Sequence, residues 1–373
     1  MKLFDVYPLY EVCPVRAKDV YVYDEAGTEY LDLYGGHAVV SIGHSHPYYI
    51  NRLEDQLNKI AFYSNAVENP LQQELADEIG DQSGLHNYQL FLCSSGAEAN
   101  ENALKLASFH TGKKRIIAFK NAFHGRTSAA VAVTDNLNIN APLNQQQEVT
   151  FIPFNDLEKL ENELKKGDVC GVIFEPIQGV GGLDIPDDDF VIGMNTLCEK
   201  YKSCLIADEV QSGFSRSGNF FAFQHNNIKP HVITMAKGMG NGFPIGGILV
   251  HPNIKPKYGM LGTTFGGNHL ACTASLAVLE IIKKDKLQQH AKRMETYFRA
   301  KAEKIKGVKI KGRGLMLGLA FDFEVGPLRK RLIYEKNIFT GGSSNKNVLR
   351  ILPPLTVQEK HFDRFFDALE NLL

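Results

Sequence analysis

The chain has 373 residues, with 41 basic against 42 acidic side chains and a formal net charge of −1. Hydrophobic residues make up 44% and charged residues 22%, an ordinary globular composition in a chain long enough for one large domain and a smaller one. The charge balance excludes a basic face drawn to nucleic acid or an anionic membrane, and no apolar run nears the length of a membrane span.

The first eight residues, Met1 to Pro8, lack the sustained apolar stretch of a signal peptide. Six cysteines (Cys13, Cys93, Cys170, Cys198, Cys204, Cys272) form no C-x-x-C pair, and several lie in apolar runs. Free thiols in a reducing cytoplasm are expected.

Residues 18 to 34 read as two short strands joined as a hairpin through the Asp24-Glu25-Ala26-Gly27 turn. Gly43-His44-Ser45-His46-Pro47 follows. Two histidines one residue apart have the chemistry of metal ligands, but no further ligands stand nearby. A turn with buried or capping histidines is expected there, and no metal. A helical pattern runs from Pro47 to about Phe62. From residue 90 the chain alternates. Short β-branched runs at Gln89–Cys93, Ile116–Phe119, Val149–Pro153, Val169–Phe174, Cys204–Ala207, Val232–Ala236 and Gly247–Val250 are mostly separated by amphipathic segments. This predicts an α/β fold, a mainly parallel sheet with helices on both faces. Ligands of such sheets bind at the carboxyl ends of the strands.

Motifs stand at those ends. Ser95-Gly96-Ala97-Glu98 has the spacing of a capping box, predicting a helix to about His110 that stops at Gly112. It is either a simple capped helix or, with its small residues and open amides, a phosphate site. Phe123-His124-Gly125-Arg126 is either a core Phe and a surface Arg, or a ring platform and a carboxylate fork. Glu175 and Asp208 each end an apolar run, where an acid is costly unless something cationic meets it. Ile233 to Gly240 is a strand end entering a glycine-rich turn with Lys237 at the corner. A lone lysine is usually a solvated surface residue. One short of water loses proton affinity, and its neutral amine attacks carbonyls to give a Schiff base.

Order and spacing make these pieces describe one ligand, pyridoxal 5'-phosphate bound as a Schiff base on Lys237. A helix N-terminus at Ser95, Gly96 and Ala97 takes the phosphate, and Phe123 and Val210 cover the ring faces. Asp208 keeps the ring nitrogen protonated, and Gln211 meets the ring hydroxyl.

Over nearly its full length the chain resembles the class III (ω-amino acid) pyridoxal-phosphate aminotransferases, acetylornithine aminotransferases above all and ornithine aminotransferases next. The resemblance rests on Gly43-His44-x-His46-Pro47, Ser95 to Ala99, Phe123 to Thr127, Glu175-Pro176-Ile177-Gln178-Gly179, Asp208-Glu209-Val210-Gln211, Ala236-Lys237-Gly238 and Gly262 to Asn268. It implies a fold-type I homodimer with sites at the interface. A large domain would span 46–274, and a smaller α+β domain would be built from 1–45 and 275–373. It implies Lys237 and Asp208 as catalytic residues, Glu175 among the cofactor contacts, and Thr264 reaching the partner's cofactor phosphate. Arg126, Thr263 and Arg350 would meet substrate. The implied reaction is a ping-pong transfer of the δ-amino group of an N-acylated ornithine to 2-oxoglutarate, in arginine biosynthesis.

Two departures stand out. The family usually has Glu where this chain has Val180, and that Glu pairs with the arginine matching Arg350. An unpaired desolvated guanidinium costs several kcal/mol. Something anionic is therefore expected beside Arg350: a donor with an extra carboxylate, such as N-succinylornithine, or another acid, water or chloride. His37 stands where ornithine aminotransferases carry a substrate-contacting Tyr, and Tyr63 looks like theirs; both either line the pocket or pack an interface. Free ornithine, 4-aminobutyrate or a diamine are alternative donors. An aminomutase needing no 2-oxoglutarate is another reading. A non-enzymatic relative would lack Lys237, which is present, and Gly238-x-Gly240-x-Gly242 lacks the spacing of a nucleotide loop.

Overall fold

The computed structural model describes all 373 residues. At the N-terminal end β1 (Pro14–Lys18), β2 (Tyr21–Asp24) and β3 (Glu29–Asp32) form an antiparallel meander. The expected turn between β2 and β3 is closed by Thr28 N and Tyr30 Oη, both donating to the Asp24 carboxylate. A distorted turn α1 (Gly35–Ala38) follows, with positive φ at Gly36 and His37. His44 pairs with Asp32 at 2.8 Å.

Helix α2 (Pro47–Leu57) ends short of Phe62. Beyond it the chain is drawn onto residues 263–270, where Leu270 N donates to the Ala61 carbonyl and Asn65 Nδ2 to that of Gly266. Those contacts outweigh the local helical pattern. Helix α3 (Pro70–Ser83) has Asn69 as its N-cap and closes on left-handed Gly84.

The centre is a seven-stranded sheet of β4 (Gln89–Cys93), β5 (Arg115–Phe119), β6 (Val149–Ile152), β7 (Val169–Phe174), β8 (Cys204–Asp208), β9 (Val232–Met235) and β10 (Gly246–Val250). The order is β4-β10-β9-β8-β7-β5-β6. All seven apolar runs of the sequence are strands. Only β10 is antiparallel to its neighbours. Central strands β7 and β8 are buried along their whole length, as their unbroken apolar runs require. Helices α4 (Gly96–Thr111), α5 (Ser128–Ala132), α6 (Leu157–Leu164) and α7 (Asp188–Tyr201) lie between strands in the chain. Ser95 Oγ accepts from Glu98 N at 3.2 Å, and Gly112 ends α4 with φ of 70°. The reciprocal bond of the capping box goes to Ser94 N, one residue earlier than the usual pattern.

The C-terminal part holds α8 (His269–Lys284), α9 (Leu287–Ala302), β11 (Lys309–Arg313), β12 (Met316–Ala320), α10 (Gly326–Lys336), β13 (Ile338–Phe339), β14 (Val348–Ile351) and α11 (Glu359–Glu370). Strands β11, β12 and β14 make a three-stranded sheet, while β13 pairs parallel with β3 and joins the two ends of the chain. No helix is long and apolar enough to cross a membrane.

One side chain ties these parts together. Arg216 is buried without an acid partner; its guanidinium donates to the carbonyls of Val40 (3.2 Å), Leu315 (3.1 Å) and Pro353 (2.8 Å). Burial pushes its pKa down to about 10. Arg216→Met leaves three carbonyls without their donor and is expected to destabilise the protein by about 3 kcal/mol. Scanning calorimetry should show a clear fall in Tm, and an unchanged Tm would deny Arg216 this role.

Candidate active site

Strands β7, β8 and β9 deliver Glu175, Asp208 and Lys237 to one edge of the sheet, beside the start of α4. They line a cavity of about 370 Å³ with Ser95, Gly96, Ala97, Phe123, Arg126, Val210 and Gln211. Asp208 is 4% exposed and the best held of them. Its Oδ2 accepts from His124 Nδ1 at 2.7 Å and Asn100 Nδ2 at 2.8 Å; its Oδ1 accepts from Val210 N at 3.0 Å. Burial favours the neutral acid, but the bond and charge of His124 win and hold the carboxyl below its usual range.

Lys237 follows β9 with φ of 47°, a strained backbone for a side chain with a Cβ. Its Nζ makes no hydrogen bond within the chain. Burial pushes its pKa below the ordinary lysine range against the pull of Asp208 and Glu175, and Arg350 adds to the depression. Glu175 accepts from Phe123 N at 3.0 Å and Gly179 N at 2.8 Å, fixing two loops at once. Burial raises it to about 7, with Asp208 adding to the rise and His124 opposing it.

The remaining surfaces suit a flat, phosphorylated ring. Gly96 and Ala97 carry the first amides of α4, which have no acceptor inside the helix. A Cβ on Gly96 would stand 2.6 Å from Val210, so only glycine lets Val210 cover the cavity there. Gln211 Oε1 is buried without a partner, and a Cβ on Gly179 would come within 2.2 Å of it. An unpaired acceptor, bare helix amides and an ionised carboxylate fit the hydroxyl, phosphate and ring nitrogen of pyridoxal phosphate.

The cationic residues lie further out. Arg126 is exposed at the cavity wall, its guanidinium 6.0 Å from the Phe123 ring. Arg350, on β14, is 3% exposed and lies beyond the cavity wall, near enough for its charge to act on Lys237. No acid meets it. Its Nη1 donates to the Gly179 carbonyl at 2.7 Å and its Nε to that of Gly342. Burial pushes it down to about 10. His37 is exposed at φ of 67°, and its ring meets Tyr34 Oη. Partial desolvation by its neighbours, together with the charges of Arg350 and Lys237, lowers its pKa to about 4. Tyr63, Thr263 and Thr264 are not brought to Lys237 within one chain. They share a separate surface where Asn65 Nδ2 donates to the Thr263 carbonyl and the Phe62 and Phe265 rings lie 5.5 Å apart.

Sequence reasoning missed His124 and Asn100 as the holders of Asp208. His124 lies inside a quoted motif and Asn100 stands one turn after Gly96, but nothing local pairs either with residue 208. It also passed over Glu209, which points away from the cavity. This carboxyl accepts from Phe223 N at 2.8 Å and Ser212 Oγ at 2.6 Å, and burial raises it to about 7. A raised pKa means its share of stability is present at low pH and lost as pH climbs towards 7. Glu209→Gln cannot ionise. Its Tm relative to wild type should therefore be higher at about pH 8 than at about pH 5; an equal difference at both would contradict the shift.

Comparison with known proteins agrees with this geometry. Residues 5–373 match the family described as Aminotransferase class-III. The chain is 38% identical to the acetylornithine aminotransferase of Archaeoglobus fulgidus, over 99% of this chain and 97% of that one. Among solved structures it is similar to the ornithine aminotransferase of Toxoplasma gondii (TM-score 0.91, 27% identity, covering 98% of this chain and 91% of that one). It is also similar to the acetylornithine aminotransferase of Elizabethkingia anophelis (TM-score 0.84, 29% identity, covering 98% and 94%). With a match that runs almost from end to end, the chain belongs to the class-III aminotransferases, enzymes that work with pyridoxal phosphate.

Proposed function

We propose that this enzyme moves the δ-amino group of an N-acylated ornithine, N-acetylornithine or N-succinylornithine, to 2-oxoglutarate. The products are the N-acylglutamate semialdehyde and glutamate, and the step belongs to arginine biosynthesis. One observation carries the reading: a buried lysine of lowered pKa shares a cavity with Arg126 and feels the charge of Arg350, in a chain 38% identical to an acetylornithine aminotransferase.

Pyridoxal phosphate, when bound, supplies the aldehyde that takes up an amino group and the cationic ring that withdraws electrons from the reacting carbon. In this reading Lys237 is the residue that would hold it, and Lys237 Nζ, once free, would take the proton from the amino-bearing carbon of the substrate and later return it. A depressed pKa suits both tasks, since a fully protonated lysine could not accept a proton. Asp208 stays ionised and holds a proton on the ring nitrogen, while His124 and Asn100 keep its carboxylate in place. Ser95, Gly96 and Ala97 would take the phosphate, Phe123 and Val210 would cover the ring, and Gln211 would meet its hydroxyl. Glu175 positions Phe123 through its backbone bond. Arg126 and Arg350 grip the two carboxylates of 2-oxoglutarate, and His37 borders the same space.

The reading includes a homodimer. Phe62, Tyr63 and Phe265 are large exposed side chains beside Thr263 and Thr264. A second copy covering them would bring Thr264 to its cofactor phosphate, and Thr263 and Tyr63 to its substrate. The two domains would be 46–274 and, from both ends of the chain, 1–45 with 275–373; the joint between β3 and β13 supports the latter pairing, and the boundary at 274 falls inside α8. A cytoplasmic setting fits the six free cysteines, five of them buried thiols.

Ornithine is the second candidate donor, supported by the likeness to ornithine aminotransferase structures. Steady-state kcat/KM with 2-oxoglutarate separates them. An N-acylated ornithine should exceed free ornithine by about tenfold or more, that is about 1.4 kcal/mol of transition-state binding; a preference for ornithine would favour the second reading. Asp208→Asn should lower kcat by about a hundredfold or more, because a neutral amide cannot hold the ring proton. A fall under about tenfold would leave Asp208 without that role.

A further inference from the structure

Lys237 stands at a corner that its own turn does not secure. Its φ of 47° lies in the left-handed region, and strain of that kind persists only where the surroundings over-determine it. Within the turn two bonds close, from Met239 N to the Ala236 carbonyl at 3.0 Å and from Gly240 N to the Lys237 carbonyl at 3.0 Å. Two further carbonyls of the turn accept from side chains of the N-terminal part of the chain. Ser41 Oγ donates to the Gly238 carbonyl at 2.8 Å, and Tyr49 Oη, on α2, donates to that of Gly240 at 2.7 Å. Both donors are buried, so water is no ready substitute for either.

The residue after the turn completes the hold. Asn241 is also left-handed, with φ of 49°, a conformation that asparagine tolerates better than most residues. Its Oδ1 accepts from Ser41 N at 2.7 Å and Ile42 N at 3.0 Å, and its Nδ2 donates to the Gly43 carbonyl at 3.0 Å. One side-chain amide thus meets three consecutive residues. An aspartate would meet the two amides but not the carbonyl. The segment it grips is itself fixed: Leu355 N donates to the Ser41 carbonyl at 2.7 Å, and Arg216 to that of Val40 at 3.2 Å. Val39, two residues before Ser41, lines the cavity of Lys237, whereas Asn241 does not. Asn241 therefore acts on the frame of the site and on nothing bound in it.

We propose that Asn241, with Ser41, is a positioning residue for Lys237: docked on Ser41–Gly43, it holds the turn at its left-handed corner and keeps the amine buried in the cavity. No hydrogen bond acts on the amine itself, so the backbone is the means by which the chain aims it. Burial is the largest influence on that amine, ahead of the charges of Asp208, Glu175 and Arg350. Those three charged groups have partners elsewhere, and none is bonded to Asn241 or Ser41. Loosening the turn therefore admits water to the amine without disturbing the charges around it. The inference rests on the reading of Lys237 as the residue that carries the cofactor, and names what keeps it in place. No bond is made or broken at Asn241.

The test is timed capture of pyridoxal phosphate by the full-length protein freed of cofactor, from about pH 6 to about pH 10. Each time point is quenched with borohydride and read as label on the peptide containing Lys237. Capture needs the neutral amine, so its midpoint in pH reports the proton affinity of Lys237. Asn241→Gly keeps the left-handed backbone accessible and removes only the side chain. It should move the midpoint up by about one unit and cut capture near pH 7 about tenfold. Ser41→Ala removes the bond to Gly238 and should move both in the same direction by less; it decides the matter if Asn241→Gly does not fold. Arg115→Met is the control for general loosening. Arg115 pairs with Glu163 and Asp168 at the opposite end of β5 from the Phe123 loop. Its loss should lower Tm and leave the midpoint in place. A wild-type midpoint in Asn241→Gly and Ser41→Ala, or an equal shift in Arg115→Met, overturns the proposal. Wild type that takes no label on Lys237 sinks the assignment of Lys237 and this inference with it; label on Lys237 that neither variant alters sinks this inference alone.

Discussion

The site depends on the burial of one charge. Asp208 sits at the end of β8, almost out of reach of water, and an ionised carboxylate there is several kcal/mol unfavourable unless donors surround it. His124, Asn100 and the Val210 amide are those donors. They come from the loop after β5, from α4 and from the turn after β8. Satisfying one carboxylate therefore locks together the start of α4, the loop that carries Phe123 and the turn that carries Val210. Asn100 adds a bond to the His124 carbonyl at 2.7 Å, so the donors also hold one another. Lys237 Nζ needs no hydrogen bond of its own to be placed. Its strand is hydrogen-bonded to β8, and Asp208 pairs with Thr234 in that register.

The electrostatics divide into a floor and a mouth. The floor is anionic chiefly at Asp208, since burial raises the other acid of the cavity, Glu175, to about 7. Lys237 and Arg126 share its cavity, and the charge of Arg350 acts on Lys237 from beyond the wall. A site so arranged favours ligands that carry a ring cation below and carboxylates or phosphate above. The question of what meets Arg350 when residue 180 is Val has a geometric answer: backbone carbonyls of Gly179 and Gly342. These hold the guanidinium in place without cancelling its charge, and the positive potential is left for substrate.

Much of this was legible in the sequence because it is written in local pattern. Seven apolar runs became seven strands, Ser95 and Gly112 bounded α4, and the motifs at Ser95, Phe123, Glu175, Asp208 and Lys237 lay after strand carboxyl ends because all strands of the sheet but β10 run in the same direction. What was not legible is long-range. His124 meets Asp208 across 84 residues, and Arg216 joins Val40 to Leu315 and Pro353. Neither has a spacing rule. Helix α2 stops at Leu57 because residues 58–66 find partners near 266, a contact that helical periodicity does not encode. Tyr63, Thr263 and Thr264 lie at the surface of the single chain, away from Lys237, and only the proposed second copy would bring them to a site.

The central claim is that Lys237, lowered in pKa at its strained corner, is the residue that carries the cofactor. Borohydride reduction of the holoenzyme fixes bound pyridoxal phosphate to its lysine, and proteolysis with mass mapping finds which one. The account predicts the phosphopyridoxyl mass on the peptide containing Lys237 and on no other. Label on a different lysine, or an enzyme active with cofactor that acquires no label, would contradict it.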